Sequence, residues 1–293
     1  MKLLQRIFLT REQPRRLRTG WRLAVHSVLF VLLLVFLTPP SILAAQALGV
    51  SELGGLFLEA AAITIATWAA RRWLDRRSFV SLGLHLDRQA WRDFGAGTAI
   101  AALTQTALLL ILIATGAASF PLRMPFRMQE IARPLLDALV LWLAVSWSEE
   151  LWMRGYWLQN IAEAHGKKWG VAISSVVFAM LHLANPHVDV LAEAGLVAAG
   201  LFLAYGYVRS GALWLPLGLH FGWNLFEGTV YGFPVSGMTE FRLLVTPLQG
   251  PEWLTGGAFG PEASVTALAV LAFGAWLIAR YTGGQGARGE VDA

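Results

Sequence analysis

Two glutamates, two histidines, an arginine and an asparagine stand inside strongly apolar stretches of this chain. They occupy three short segments: Ser146-Trp-Ser-Glu149-Glu150-Leu-Trp-Met-Arg154-Gly155, Phe178-Ala-Met-Leu-His182 and His220-Phe-Gly-Trp-Asn224. Carboxylates and imidazoles move protons at a reacting centre, and imidazole or amide N–H groups stabilise developing negative charge. Two His and a Glu are also the donor types of a catalytic zinc site, which makes Glu149, His182 and His220 the candidate ligands. An ionisable group deep in a membrane helix costs about 2.5–3.5 kcal/mol on insertion scales, so it needs a partner or a purpose. A single buried His is usually a satisfied core residue; six such groups in three neighbouring segments are not explained by packing.

On a helix the spacings divide the labour. Glu150 and Arg154 are i,i+4 neighbours and can pair along one face. Glu149 lies about 100° further round and points elsewhere. His220 and Asn224, again i,i+4, present an imidazole and an amide together. Phe178 lies one turn before His182 and can hold its ring.

The elements that must position these groups are membrane helices. Of 293 residues, 56% are hydrophobic and 14% charged, against about 25% charged in a soluble domain. The apolar residues come in long runs such as Leu23–Leu37 and Ala99–Ile113, which lipid forces into helices because every backbone polar group must be satisfied internally. The expected fold is an all-α polytopic bundle of about eight spans, roughly 22–45, 53–73, 94–115, 134–158, 169–185, 190–208, 213–231 and 264–281. One integral membrane domain covers 1–293, with a motif-bearing core at 134–231. Residues 79–94 read as an interfacial segment lying on the cytoplasmic surface. Residues 228–264, with Glu240, Glu252 and Glu262, read as the one sizeable external loop, packed on the helix ends. Glu59 interrupts the second span and is assigned a structural role.

Eighteen of the 23 basic residues fall on one side of this arrangement, seven of them in a basic N-terminal segment, residues 1–21, with the adjoining Arg22. Arg123, Arg127, Arg133 and Arg242 fall on the other side. The positive-inside rule therefore puts both termini in the cytoplasm. Alternate crossing then places Glu149 and His220 in the cytoplasmic half, with His182 deeper, and an opening toward the cytoplasmic leaflet is expected. Ala45-Gln46-Ala47 has the form of a signal-peptide cleavage site, but the preceding apolar run is long enough to span and the helix is expected to be retained. The net charge of +4 is explained by lipid headgroups and topology, so no nucleic acid partner is expected. The absence of cysteine excludes disulfides, thiolate metal sites and a cysteine nucleophile.

EExxxR, FxxxH and HxxxN, in this order on membrane helices, resemble the three motifs of the CAAX-protease and bacteriocin-processing (CPBP or Abi) family, which includes the type II CAAX prenyl endopeptidases. The stretch Glu149–Tyr156 is similar to that family's EExxxRGY. Tyr207-Val-Arg209-Ser-Gly211-Ala-Leu-Trp214 is similar to its approach to the third motif. The likeness runs from about Pro134 to Asn224, with a weaker echo at Thr255–Glu262. The resemblance implies an intramembrane endopeptidase acting on a membrane-associated peptide or protein. It implies that Glu149 and His182 activate a water, that His220 and Asn224 stabilise the oxyanion, and that Glu150, Arg154 and Phe178 support them. On this reading no cofactor is required; zinc is the alternative, since the family has been labelled metalloprotease. HExxH, the rhomboid Gly-x-Ser-Gly and the aspartyl Gly-x-Gly-Asp motifs are absent. A transporter or proton-coupled channel would also carry carboxylates and imidazoles in membrane helices, and a family member could bind without cutting.

Overall fold

The computed structural model describes residues 8–10, 15–48, 51–120, 122–123 and 128–284. Lys2, Arg6, Arg11, Arg127 and Arg288 lie outside the described residues. The fold is an all-α polytopic membrane bundle, and each expected apolar segment is helical. Helix α1 spans Thr19–Leu48 and α2 spans Ser51–Ala69, continued by a π-helical stretch, Ala70–Asp75. Helix α3 is Arg88–Ala114. Helix α4, Met128–Glu150, runs through a π-helical stretch, Leu151–Leu158, into α5, Gln159–His165. Then come α6 (Lys167–Met180), α7 (Val190–Ser210) and α8 (Trp214–Asn224), the last extended by a π-helical turn, Leu225–Val230. A short α9 (Glu252–Thr255) precedes α10, Val265–Gly283. Two-residue strands β1 (Leu122–Arg123) and β2 (Leu244–Val245) pair antiparallel.

Five stretches are long and apolar enough to cross a membrane: Thr19–Pro40, Arg88–Ala114, Glu130–His165, Val190–Ser210 and Val265–Gly283. Three of the eight expected spans, those in α2, α6 and α8, do not meet that measure among the described residues. Helix α6 has 14 residues, about 21 Å of rise, short of a hydrocarbon core of about 30 Å. Helix α8 has 11, and all of them except Trp214 and Phe221 are buried. An interior helix is enclosed by protein, so its own length need not match the bilayer.

One end of the bundle is held by buried ion pairs. Arg22 of α1 and Arg71 after α2 both bond Asp75, at 2.9 and 3.0 Å, and Arg22 also reaches Glu163 of α5 at 3.3 Å. Arg22, Arg71 and Asp75 are each about 2% exposed. His26 adds a bond to Thr67 and a stack on Tyr156, so α1 is packed into the bundle.

Residues 79–94 differ from expectation. Asp87 caps α3 by accepting from the Ala90 N–H at 2.8 Å, so the second half of the segment is the start of that helix. The first half docks on the α7–α8 turn: Leu213 N–H donates to the Gly83 carbonyl, and Leu82 and Leu84 are buried. Two leucines find more apolar area inside the protein than on a lipid surface.

The long connection after α8 does pack on the helix ends. Phe233, Val235 and Phe259 are buried there, and Ser119 and Gln249 donate across to Pro247 and Ala117. Glu262, in this packed connection, is only 8% exposed.

Helices α3 and α8 cross with their backbones in contact. A Cβ on Gly218 would strike the Phe94 carbonyl oxygen, and one on Gly97 would strike the Leu215 carbonyl oxygen and, at 2.7 Å, the Leu219 nitrogen. Small residues permit such crossings, which in lipid gain from dispersion and close fit. Backbone cannot yield as a flexible side chain can. Gly218→Ala is therefore expected to lower stability by about 1–3 kcal/mol, measurable as an earlier thermal unfolding transition in detergent; an unchanged transition would mean the two helices separate freely.

Candidate active site

Three elements bring the polar residues together. The end of α4 supplies Glu149 and Glu150, the turn after α6 supplies His182, and α8 supplies His220 and Asn224. Glu149, His182, His220, Asn224 and Phe178 all line one cavity of about 330 Å³. Both helices that carry the acidic and third-motif residues turn π-helical immediately afterwards, at Leu151 and at Leu225. A π-helical turn re-aims side chains and is common at functional sites.

Each imidazole has one nitrogen fixed by a partner. His182 Nδ1 lies 2.8 Å from the Phe178 carbonyl. A carbonyl only accepts, so Nδ1 carries the proton and Nε2 of neutral His182 is left with a lone pair. His220 Nδ1 lies 3.0 Å from Glu150 Oε1. Both Nε2 atoms face Glu149 Oε2, at 4.0 Å for His182 and 3.8 Å for His220. These distances are too long for direct hydrogen bonds and suit a bridging water. Glu149 Oε2 is itself buried without a hydrogen-bond partner in the protein.

Glu150 and Arg154 form the expected pair, Nη1 to Oε1 at 2.8 Å, with both side chains wholly buried. Arg154 also donates to the Gly200 carbonyl at 2.9 Å and lies over the Phe178 ring at 4.6 Å. The bond from His220 to Glu150 was not foreseen. It makes Glu150 the residue that orients His220, and it joins Arg154, Glu150 and His220 in one buried chain of charge-assisted hydrogen bonds.

Three acidic residues beyond the motifs surround this centre. Glu59 lines the same cavity. Glu262 accepts from Trp223 Nε1 at 3.1 Å and from the N–H and hydroxyl of Ser236, both at 2.8 Å, which ties the long connection to α8 beside Asn224. Glu227, fully buried, accepts from Gln105 Nε2 at 2.9 Å. The only sequence signal for Glu227 is a charge near the end of an apolar run, and that for Glu262 is its place at the end of the weaker family echo, Thr255–Glu262.

Glu149, His182 and His220 have the donor types for zinc, and stand somewhat further apart than the donors of a tetrahedral site. Ligand bonds of about 2.0–2.1 Å in a tetrahedron put donor atoms about 3.3 Å apart, against the 3.8 and 4.0 Å observed. No group of three or more His, Cys, Asp or Glu among the described residues is arranged to hold a metal ion.

The fold and this constellation define a membrane-embedded protein with a carboxylate–imidazole centre enclosed by helices. Residues 131–226 match the family described as type II CAAX prenyl endopeptidase Rce1-like. The matched segment contains all three motifs. No curated protein and no solved structure matches the chain.

Proposed function

We propose that the chain is an intramembrane endopeptidase that hydrolyses a peptide bond of a membrane-associated polypeptide. The observation that carries this reading is the placement of Glu149 Oε2 within one water's reach of two imidazole Nε2 atoms, inside a cavity walled largely by Leu, Val, Phe and Trp. A water there donates one hydrogen to Glu149 and one to His182 Nε2, which leaves an oxygen lone pair for the scissile carbonyl. As the O–C bond forms, the carbonyl π pair moves onto oxygen and Glu149 takes the water's proton. That proton passes to the amide nitrogen as the C–N bond breaks and the carbonyl re-forms, giving a carboxylic acid and an amine; the acid then loses its proton to the amine, leaving a carboxylate and an ammonium group.

The oxyanion is met by His220 and Asn224. His220 already donates Nδ1–H to Glu150, so it can also donate Nε2–H only as an imidazolium. Charge supports that form: Glu149 and Glu150 carry two negative charges against the single positive charge of Arg154, and a cationic His220 balances them. Water is excluded elsewhere by the apolar walls, which strengthens each of these interactions. The reaction so described needs no metal.

Asn224→Ala should lower turnover of a cleavable membrane peptide about 10²–10³-fold, the usual effect of deleting one oxyanion donor. Adding Asn224→Ala to a Glu149 variant should cost little more, because residues acting as a unit are non-additive. Full turnover in Asn224→Ala would remove this residue from the mechanism. Carboxylates and imidazoles would also serve a transporter, but here they converge on one cavity rather than forming a file across the bundle.

A further inference from the structure

The basic residues and the mouth of the cavity lie at opposite ends of the bundle. One end holds the start of α1, the end of α2, the start of α3, α5, and the end of α10, and carries Arg16, Arg22, Arg72, Arg77, Lys167 and Arg280 among others. The cavity receives no residue from that end. Its rim is formed instead by Met238 and Glu240 of the long connection between α8 and α10, and both are exposed. This connection is fastened at the far end by Glu262 on Ser236 and by Asn185 Nδ2 on the Ser236 carbonyl at 3.0 Å. Glu59 reaches the cavity from the half of α2 remote from its basic terminus. The expectations of cytoplasmic termini and of a cytoplasmic opening therefore exclude each other in this structure.

Charge bias decides between them, since Lys and Arg are retained on the cytoplasmic side. We propose that the cavity opens to the extracytoplasmic side, and that its substrate is a membrane-anchored polypeptide presented from the outer leaflet. The substrate part of this inference rests on the endopeptidase reading; the sidedness does not. Leu141, Trp142 and Val145 line the wall nearest the start of α4 and suit an apolar segment entering from lipid. A polypeptide displayed only on the cytoplasmic surface would have to cross the bundle to reach Glu149.

The chain contains no cysteine, so one introduced thiol is a unique reporter. Met238 is 44% exposed at the mouth and the Arg77 side chain 45% exposed at the basic end. With both positions exposed, labelling reports the side of the membrane. In intact cells a membrane-impermeant maleimide should label Met238→Cys strongly and leave Arg77→Cys at background until the membrane is permeabilised. Glu240→Cys, as a second reporter, should follow Met238→Cys. Labelling of both mouth positions only after permeabilisation, or in neither state, overturns the proposal. Either outcome leaves the endopeptidase reading intact, because that reading is tested separately by turnover of the Glu149 variant.

Discussion

Glu149→Gln is expected to reduce peptide hydrolysis by about 10²–10⁴-fold, the range for loss of a general base, while the protein remains as stable as wild type. Glu149 Oε2 makes no hydrogen bond within the fold, so the carboxylate holds no other side chain in place. Glutamine keeps the volume and removes the charge that accepts the water's proton. The two effects separate cleanly in parallel measurements of turnover and of thermal unfolding in the same detergent. A stable and fully active Glu149→Gln protein would mean that the base lies elsewhere, with Glu59 the next carboxylate on the cavity wall.

Glu150→Gln should behave in the opposite sense on stability. Glu150 and Arg154 are wholly buried and bonded to one another, and breaking a buried pair by removing one charge costs about 3–5 kcal/mol because the other is left uncompensated. Turnover should fall as well, since His220 Nδ1 loses the carboxylate that supports its charged form. The loss should appear in kcat more than in KM, because the oxyanion contact exists only in the transition state. Unchanged unfolding of Glu150→Gln would contradict the pairing; unchanged kcat would show that His220 is held by other contacts.

Much of this arrangement is visible in the residues themselves. The apolar runs set the helices, and the i,i+4 spacing of Glu150 and Arg154 anticipates their ion pair. What spacing cannot supply is the contact between helices. Glu150 takes a second partner from α8, seventy positions away in the chain, and that bond changes its role from charge neutralisation to orientation of His220. The partners of Glu262 are hidden for the same reason: the packing of its loop on the helix ends is legible, but the contact with Trp223 is not.

The position of Glu149 along the bundle is set by helices of unequal length. Ending the fourth span at residue 158 puts Glu149 near one surface, whereas the π-helical stretch carries the chain on into α5 and His165. Sixteen residues then separate Glu149 from that end, about 24 Å of rise. Helix α6 is correspondingly short, and His182 falls in the turn beyond it. Amphipathic periodicity does not register either departure, since a π-helical turn keeps the apolar composition and changes only the phase.

The central claim is hydrolysis at Glu149, and its most direct test uses membranes from cells that produce either the wild-type chain or Glu149→Gln. Incubation in water enriched in heavy oxygen, followed by mass spectrometry of membrane peptides, reads the chemistry at each new terminus. The mechanism predicts fragments in the wild-type membranes whose new carboxyl ends carry one heavy oxygen, with the uncut precursors accumulating in Glu149→Gln. Equal amounts of the same labelled fragments in both membranes, with the variant folded and present at wild-type level, would contradict it.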